Sequence, residues 1–110
     1  MVSLSIELCA LIPVYNHEKT VGDVARALLA KNMRLILVND GSSPECRESL
    51  IKLANEHPHQ VILLEHPINQ GKGAAVMTGL RHADFLHVSH VLQIDADGQH
   101  NTDDIARFIT

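Results

Sequence analysis

Two aspartates stand two apart in LQIDADGQH, residues 92–100, at the end of an apolar run. Asp95 and Asp97 repel one another and each is costly to desolvate, so a positive partner is expected between them. A hard divalent cation such as Mg²⁺ or Mn²⁺ favours oxygen ligands and would offset that repulsion. Gly98 permits the bend that brings both carboxylates to one place, and Gln99 offers a further oxygen. A solvated acidic turn is the plainer alternative, because Asp and Gly are common turn residues. The position after a buried strand favours the metal.

Three other stretches could carry chemistry. Gly71-Lys72-Gly73 can open a helix whose backbone N–H groups and lysine approach a phosphate, although on this segment alone a plain loop into a helix is favoured. Asn39-Asp40-Gly41-Ser42-Ser43 reads as a strand-to-helix turn. Asp40 there could accept from a base N–H or a ribose hydroxyl, or cap the turn. Among the eight histidines, His87 and His90 lack a carboxylate or cysteine at a usual ligand spacing and read as surface residues. His100, beside the acidic turn, is the one placed near chemistry. Common motifs do not fit. An EF-hand fails at His100 and Ala106, a P-loop at His66 and Gly73, and a dinucleotide fingerprint at Val76.

The elements that must position these residues alternate along the chain. Apolar runs at Leu8–Ile12, Leu35–Val38, Val61–Leu64 and Val88–Ile94 are continuous, as in parallel strands buried on both faces. Helical patterns lie between them. Thr20 is placed to cap the first, with Val21, Val24, Ala25, Leu28 and Leu29 on one face. Ser43-Pro44-Glu45 opens the second and Gly71-Lys72-Gly73 the third. A fourth helix is expected from Thr102-Asp103-Asp104, with Ile105, Phe108 and Ile109 on its inner face. The order βαβαβαβα predicts a three-layer, Rossmann-like α/β domain with a mainly parallel sheet. Ligands bind beyond the carboxyl ends of such strands. Every polar, glycine-bearing stretch falls there: Pro13–Glu18, Asn39–Ser42, His66–Gly73 and Asp95–His100.

With 110 residues, the chain is the size of one domain, residues 1–110. A net charge of −4 and 3% aromatic content argue against nucleic-acid binding. Cys9, within an apolar run, is expected to be a buried thiol, which suits a reducing cytoplasm. No apolar run approaches the roughly 20 residues that span a bilayer, and the N-terminus lacks a basic signal-peptide start.

IPVYNHEKTV, LVNDGSS, NQGKGAAVMTGL and QIDADGQH, in that order, resemble the nucleotide-sugar half of family 2 glycosyltransferases. They are similar in particular to the branch that includes dolichyl-phosphate mannosyltransferase-like enzymes. The resemblance runs over essentially the whole chain. It implies a GT-A fold, incomplete at the C-terminus, a UDP- or GDP-sugar donor, and Mg²⁺ or Mn²⁺ as cofactor. Pro13, Tyr15, Asn16 and Glu18 would line the nucleotide pocket. Asp40 would contact base or ribose, with Asn39 replacing the first acid of the family's DDGS turn. Asn69, Gly71 and Lys72 would lie near ribose and diphosphate, with Asp95 and Ala96 beside them. Asp95, Asp97 and Gln99 would hold the metal.

The implied reaction is inverting sugar transfer to an acceptor the sequence does not name, with a lipid-linked one suiting the branch. The implied setting is the cytoplasm, at the inner face of a membrane for a longer protein. The family's general base lies well past the DxD motif, so it is expected beyond Thr110, and the chain reads as an inactive donor-binding half. An unpaired strand edge and a short apolar last helix would then favour self-association. Two alternatives are a haloacid-dehalogenase-like phosphatase, in which the first Asp of an apolar-run-DxDG motif is the nucleophile, and a non-catalytic nucleotide-binding module.

Overall fold

The computed structural model describes residues 8–97 and the backbone of 105–107. Strands β1 (Leu8–Val14), β2 (Arg34–Asp40), β3 (Val61–His66) and β4 (His90–Gln93) alternate with helices α1 (Val21–Leu29), α2 (Pro44–Glu56) and α3 (Lys72–Phe85), and β5 (Ile105–Arg107) follows. The sheet order is β3-β2-β1-β4-β5. The first four strands are parallel, and β5 runs antiparallel to β4.

The continuous apolar runs are explained by two cores on opposite faces of the sheet. Alternate strand residues point to opposite faces. Ala10, Ile12, Leu35 and Leu37 enter one core with Val21, Ala25 and Leu29 of α1 and Leu50 and Leu53 of α2. Cys9, Leu11, Ile36 and Val38 enter the other with Ala75 and Ala83 of α3. β1 and β2 are therefore apolar at successive positions through Cys9–Ile12 and Leu35–Val38, and Cys9 and Cys46 are both buried.

Close approach of α3 to β1 depends on Gly79. A Cβ there would lie 3.0 Å from Leu11 Cδ2 and closer still to Cδ1, and Leu11 is fully buried. Gly79→Ala is expected to cost about 1–3 kcal/mol through overpacking, despite alanine's better helix propensity. Urea titration should show the midpoint falling at constant slope; a rise would mean that α3 can retreat from β1 freely.

Two expectations need correction. Residues 105–107 form a strand, not part of a helix. Ile105 pairs with Leu92, Ala106 with Val91 and Arg107 with His90. The outer edge of β4 would otherwise present unpaired N–H and C=O groups, and antiparallel pairing satisfies them. The sheet then ends on β5 rather than β4. The rest of the expected helix (102–104, Phe108, Ile109), with Gly98, Gln99 and His100, lies outside the described residues. Thr20 precedes α1 but makes no side-chain cap. Its hydroxyl donates instead to Ala96 O at 2.7 Å, tying the start of α1 to the acidic turn. Ser43 does cap α2, accepting from Cys46 N. Among the described residues no helix is long and apolar enough to cross a membrane.

Candidate functional site

The strand order places the site. From β1 the chain adds β2 and then β3 on one side, and β4 joins β1 on the other. The strand order thus reverses between β1 and β4, and in such sheets a ligand crevice lies beyond the carboxyl ends of the strands at that point. A cleft of about 270 Å³ lies there. Pro13 and Val14 line it from β1, Tyr15 and His17 from the turn after β1, Asp95, Ala96 and Asp97 from the turn after β4, Asn69 from the loop after β3, Lys72 and Ala75 from α3, and Asp40 from the end of β2.

Seven of the anticipated site residues that lie within the described chain meet in this cleft: Pro13, Tyr15, Asp40, Asn69, Lys72, Asp95 and Ala96, joined by Asp97 from the expected metal set. Three do not line it. Gly71 lies beside it as the N-cap of α3, at φ 101°, a left-handed conformation that suits glycine. Asn16 is a clamp. At φ 57° its N–H donates to Ser42 Oγ at 3.1 Å and its Oδ1 accepts from Ser43 N at 2.7 Å. Asn tolerates that conformation better than most residues. Ser42 Oγ also donates to Val14 O at 3.3 Å, so the turn after β2 braces the turn that presents Tyr15. Glu18 faces a separate groove between α1 and α2, with Arg26, Lys52 and Glu56.

His17 occupies the cleft position, and sequence reasoning missed it. Its carbonyl accepts from Thr20 N and Val21 N, which starts α1 and turns Glu18 away. The cue available was its place directly after Tyr15-Asn16. No periodicity operates within a turn to choose between neighbours.

Asp40 is the most highly connected polar group of the site. It is 2% exposed. Oδ1 accepts from Gln70 N at 2.9 Å and pairs with His66 Nδ1 at 2.8 Å. Oδ2 accepts from Asn69 Nδ2 at 3.0 Å and from Gly71 N at 2.9 Å. Burial opposes ionisation, but the hydrogen bonds from His66, Gln70 and Gly71 outweigh it and hold the carboxyl below the usual aspartate range. Two bonds per oxygen fill its in-plane acceptor positions with protein donors. The carboxylate thereby organises the loop that carries Asn69 and Lys72.

Asn39, which departs from the family's acid, has a local cause. It lies opposite Glu65 in the sheet and donates to Glu65 Oε1 at 3.2 Å. A second carboxylate at 39 would face Glu65 with like charge. Glu65 is held below its ordinary range first by Arg47 and, against the cost of burial, also by Asn39.

At the other end of the cleft Lys72 Nζ pairs with Asp95 Oδ1 at 2.7 Å, with the two side chains 59% and 36% exposed. The donor set fits a hard divalent cation bound jointly with a substrate. Asp95 and Asp97 line the same cleft and offer charged oxygens. Among the described residues no group of three or more His, Cys, Asp or Glu is placed to cage a metal. Mg²⁺-type ions are commonly held by one or two carboxylates plus substrate phosphates.

The fold and this cleft define an α/β protein of the GT-A type. The family model for "Glycosyl transferase family 2" matches residues 9–110. The chain belongs to that family. It is 32% identical to a dolichyl-phosphate beta-glucosyltransferase of Trichomonas vaginalis, over 91% of this chain and 33% of that protein. It is 35% identical to a UDP-N-acetylglucosamine–dolichyl-phosphate N-acetylglucosaminyltransferase of Methanococcus voltae, over 90% of this chain and 44% of that one. The chain thus spans a third to under half the length of these relatives. The crystal structure of S. aureus TarS 1-349 in complex with UDP superposes with a TM-score of 0.70 at 20% identity, covering 84% of this chain and 28% of that one.

Proposed function

We propose that this chain forms the donor-binding part of a glycosyltransferase that moves a sugar from a nucleoside-diphosphate sugar to a lipid-phosphate acceptor. The observation that carries the reading is the meeting of Asp95, Asp97 and Lys72 in one cleft at the β1/β4 switch point. Membership of the family supports it, and so do relatives whose names specify dolichyl-phosphate acceptors. The phosphatase alternative loses its basis, because the DxD motif follows the fourth strand of a family 2 fold.

In this reading Tyr15, half exposed at the rim, offers its ring to the nucleobase. Lys72 and the backbone N–H groups at the start of α3 face the diphosphate, where the helix dipole adds favourable potential. Asp95 and Asp97 would hold a divalent cation, Mg²⁺ or Mn²⁺, with Gln99, outside the described residues, as the further expected ligand. Such an ion, when bound, offsets the charge that grows on the departing diphosphate. Lys72 is free to exchange Asp95 for a phosphate oxygen, because a half-exposed ion pair is worth only about 0.2–1 kcal/mol. Ala96 O, held by Thr20, keeps the acidic turn against the start of α1. The acceptor attacks from the face opposite the diphosphate, giving inversion.

Calorimetry tests this directly. UDP or GDP should bind more tightly with Mn²⁺ than with chelator, and Asp97→Asn should abolish most of that difference. Equal affinity with and without metal in the wild type would refute metal-assisted donor binding.

A further inference from the structure

We propose that His66 is a positioning residue for donor binding, acting through Asp40 on the loop that presents Asn69 and Lys72. The inference rests on the donor-binding reading above.

His66 ends β3, is 9% exposed and does not line the cleft. Both ring nitrogens are engaged. Nδ1 lies 2.8 Å from Asp40 Oδ1, and Nε2 lies 2.8 Å from Thr78 Oγ1. An ionised carboxylate only accepts, so Nδ1 carries the proton. In the neutral ring Nε2 then accepts from the Thr78 hydroxyl. One imidazole therefore links the ends of β2 and β3 to α3, six residues after its first residue, Lys72.

The arrangement has more than a packing consequence. Asp40 also accepts from Gln70 N and Gly71 N, the two amides immediately before Lys72. Without His66 the carboxylate loses one of the two donors that hold Oδ1. Those two bonds then lose a fixed acceptor, and Asn69 and Lys72 lose their common reference. The chain Thr78–His66–Asp40–Gln70/Gly71 thus couples the body of α3 to the loop at its own N-terminus. A purely structural histidine would act on the whole fold. This one should act on the loop first.

The test uses the purified protein, UDP and GDP with Mn²⁺, and four sequences: wild type, His66→Gln, Thr78→Val and Thr78→Ser. His66→Gln should weaken nucleotide binding about five-fold, the size of one lost hydrogen bond. Thr78→Val should weaken it by a smaller factor, and Thr78→Ser, which restores the hydroxyl, should bind as wild type. Backbone amide exchange should quicken at Gln70 and Gly71 in His66→Gln while the β1 and β2 core amides keep their protection. Wild-type affinity in both His66→Gln and Thr78→Val would overturn the inference, as would faster exchange spread evenly through β1–β3. A wild type that binds neither nucleotide would overturn the donor reading and this inference with it. Should His66→Gln fail to fold, the Thr78→Val and Thr78→Ser pair decides.

Discussion

Gly41→Ala should lower the melting temperature by roughly 10–20 °C, from a loss of about 2–4 kcal/mol in a domain of this size. Gly41 has φ +70°, and a Cβ built there would lie 2.7 Å from the Ile68 carbonyl carbon and closer still to the Asn69 backbone nitrogen. Two costs add. Alanine is strained at positive φ, and the colliding atoms are backbone, which has no rotamer to change. The displaced segment is the one that carries Asn69, so nucleotide binding should fall along with stability. Gly73→Ala supplies the control. Gly73 lies in the first turn of α3 with nothing within 4 Å of its would-be Cβ. That change should be neutral or stabilising by about 0.5–1 kcal/mol. Melting curves in which both variants match the wild type would show that the turn after β2 does not press on the loop after β3.

Asp40→Ala is expected to cost about 3–5 kcal/mol of stability and to abolish measurable nucleotide binding. Removing a buried carboxylate that gathers several donors leaves each of them without that acceptor. Here the stranded donors are His66 Nδ1, Gln70 N and Gly71 N, and Asn69 loses its bond to Oδ2. Total stabilities of such domains are about 5–15 kcal/mol, so the loss is a large share. Denaturant midpoints would measure it.

Asp40→Asn separates charge from shape. The carboxyl's ionisation range is depressed in the fold, so its contribution is complete above the ordinary aspartate value of about 3.9 and is lost as pH falls through the folded-state value. Wild-type stability should therefore decline on the acid side below about pH 4. The asparagine variant should start lower and decline less steeply there. Parallel acid limbs for the two proteins would mean that Asp40 carries little of that dependence.

Much of the layout was open to reading because its causes are local. β1 and β2 are buried on both faces, so their residues are apolar at successive positions, and Leu8–Ile12 and Leu35–Val38 stand out without any knowledge of neighbours. Ser43-Pro44 announces α2 because the cap and the proline act on adjacent backbone groups. Asp95 and Asp97 were identifiable because two like charges after a buried apolar run favour a bound cation, whereas Lys72, whose segment alone reads as a plain loop into a helix, entered only through the family resemblance. Their meeting in one cleft follows from a rule about parallel sheets.

What sequence alone determined, then, is the alternation of strand and helix, the edge of the sheet that carries the chemistry, and the residue types gathered there. Each depends on periodicity or on spacing within a few residues. Tertiary structure decided the rest, because the deciding partners are distant in the chain. Residues 105–107 fit an amphipathic helix by pattern, and the free edge of β4 made them a strand. Thr20 fits a cap by type, and Ala96 O, 76 residues away, took its hydroxyl. His66 looked like one loop histidine among eight, and burial between Asp40 and Thr78 gave it a place in the site's framework. His17 rather than Glu18 reached the cleft because the first turn of α1 begins on the His17 carbonyl. Hydrogen bonds are directional and must all be satisfied in the interior, so which donor meets which acceptor is settled only when the elements have packed.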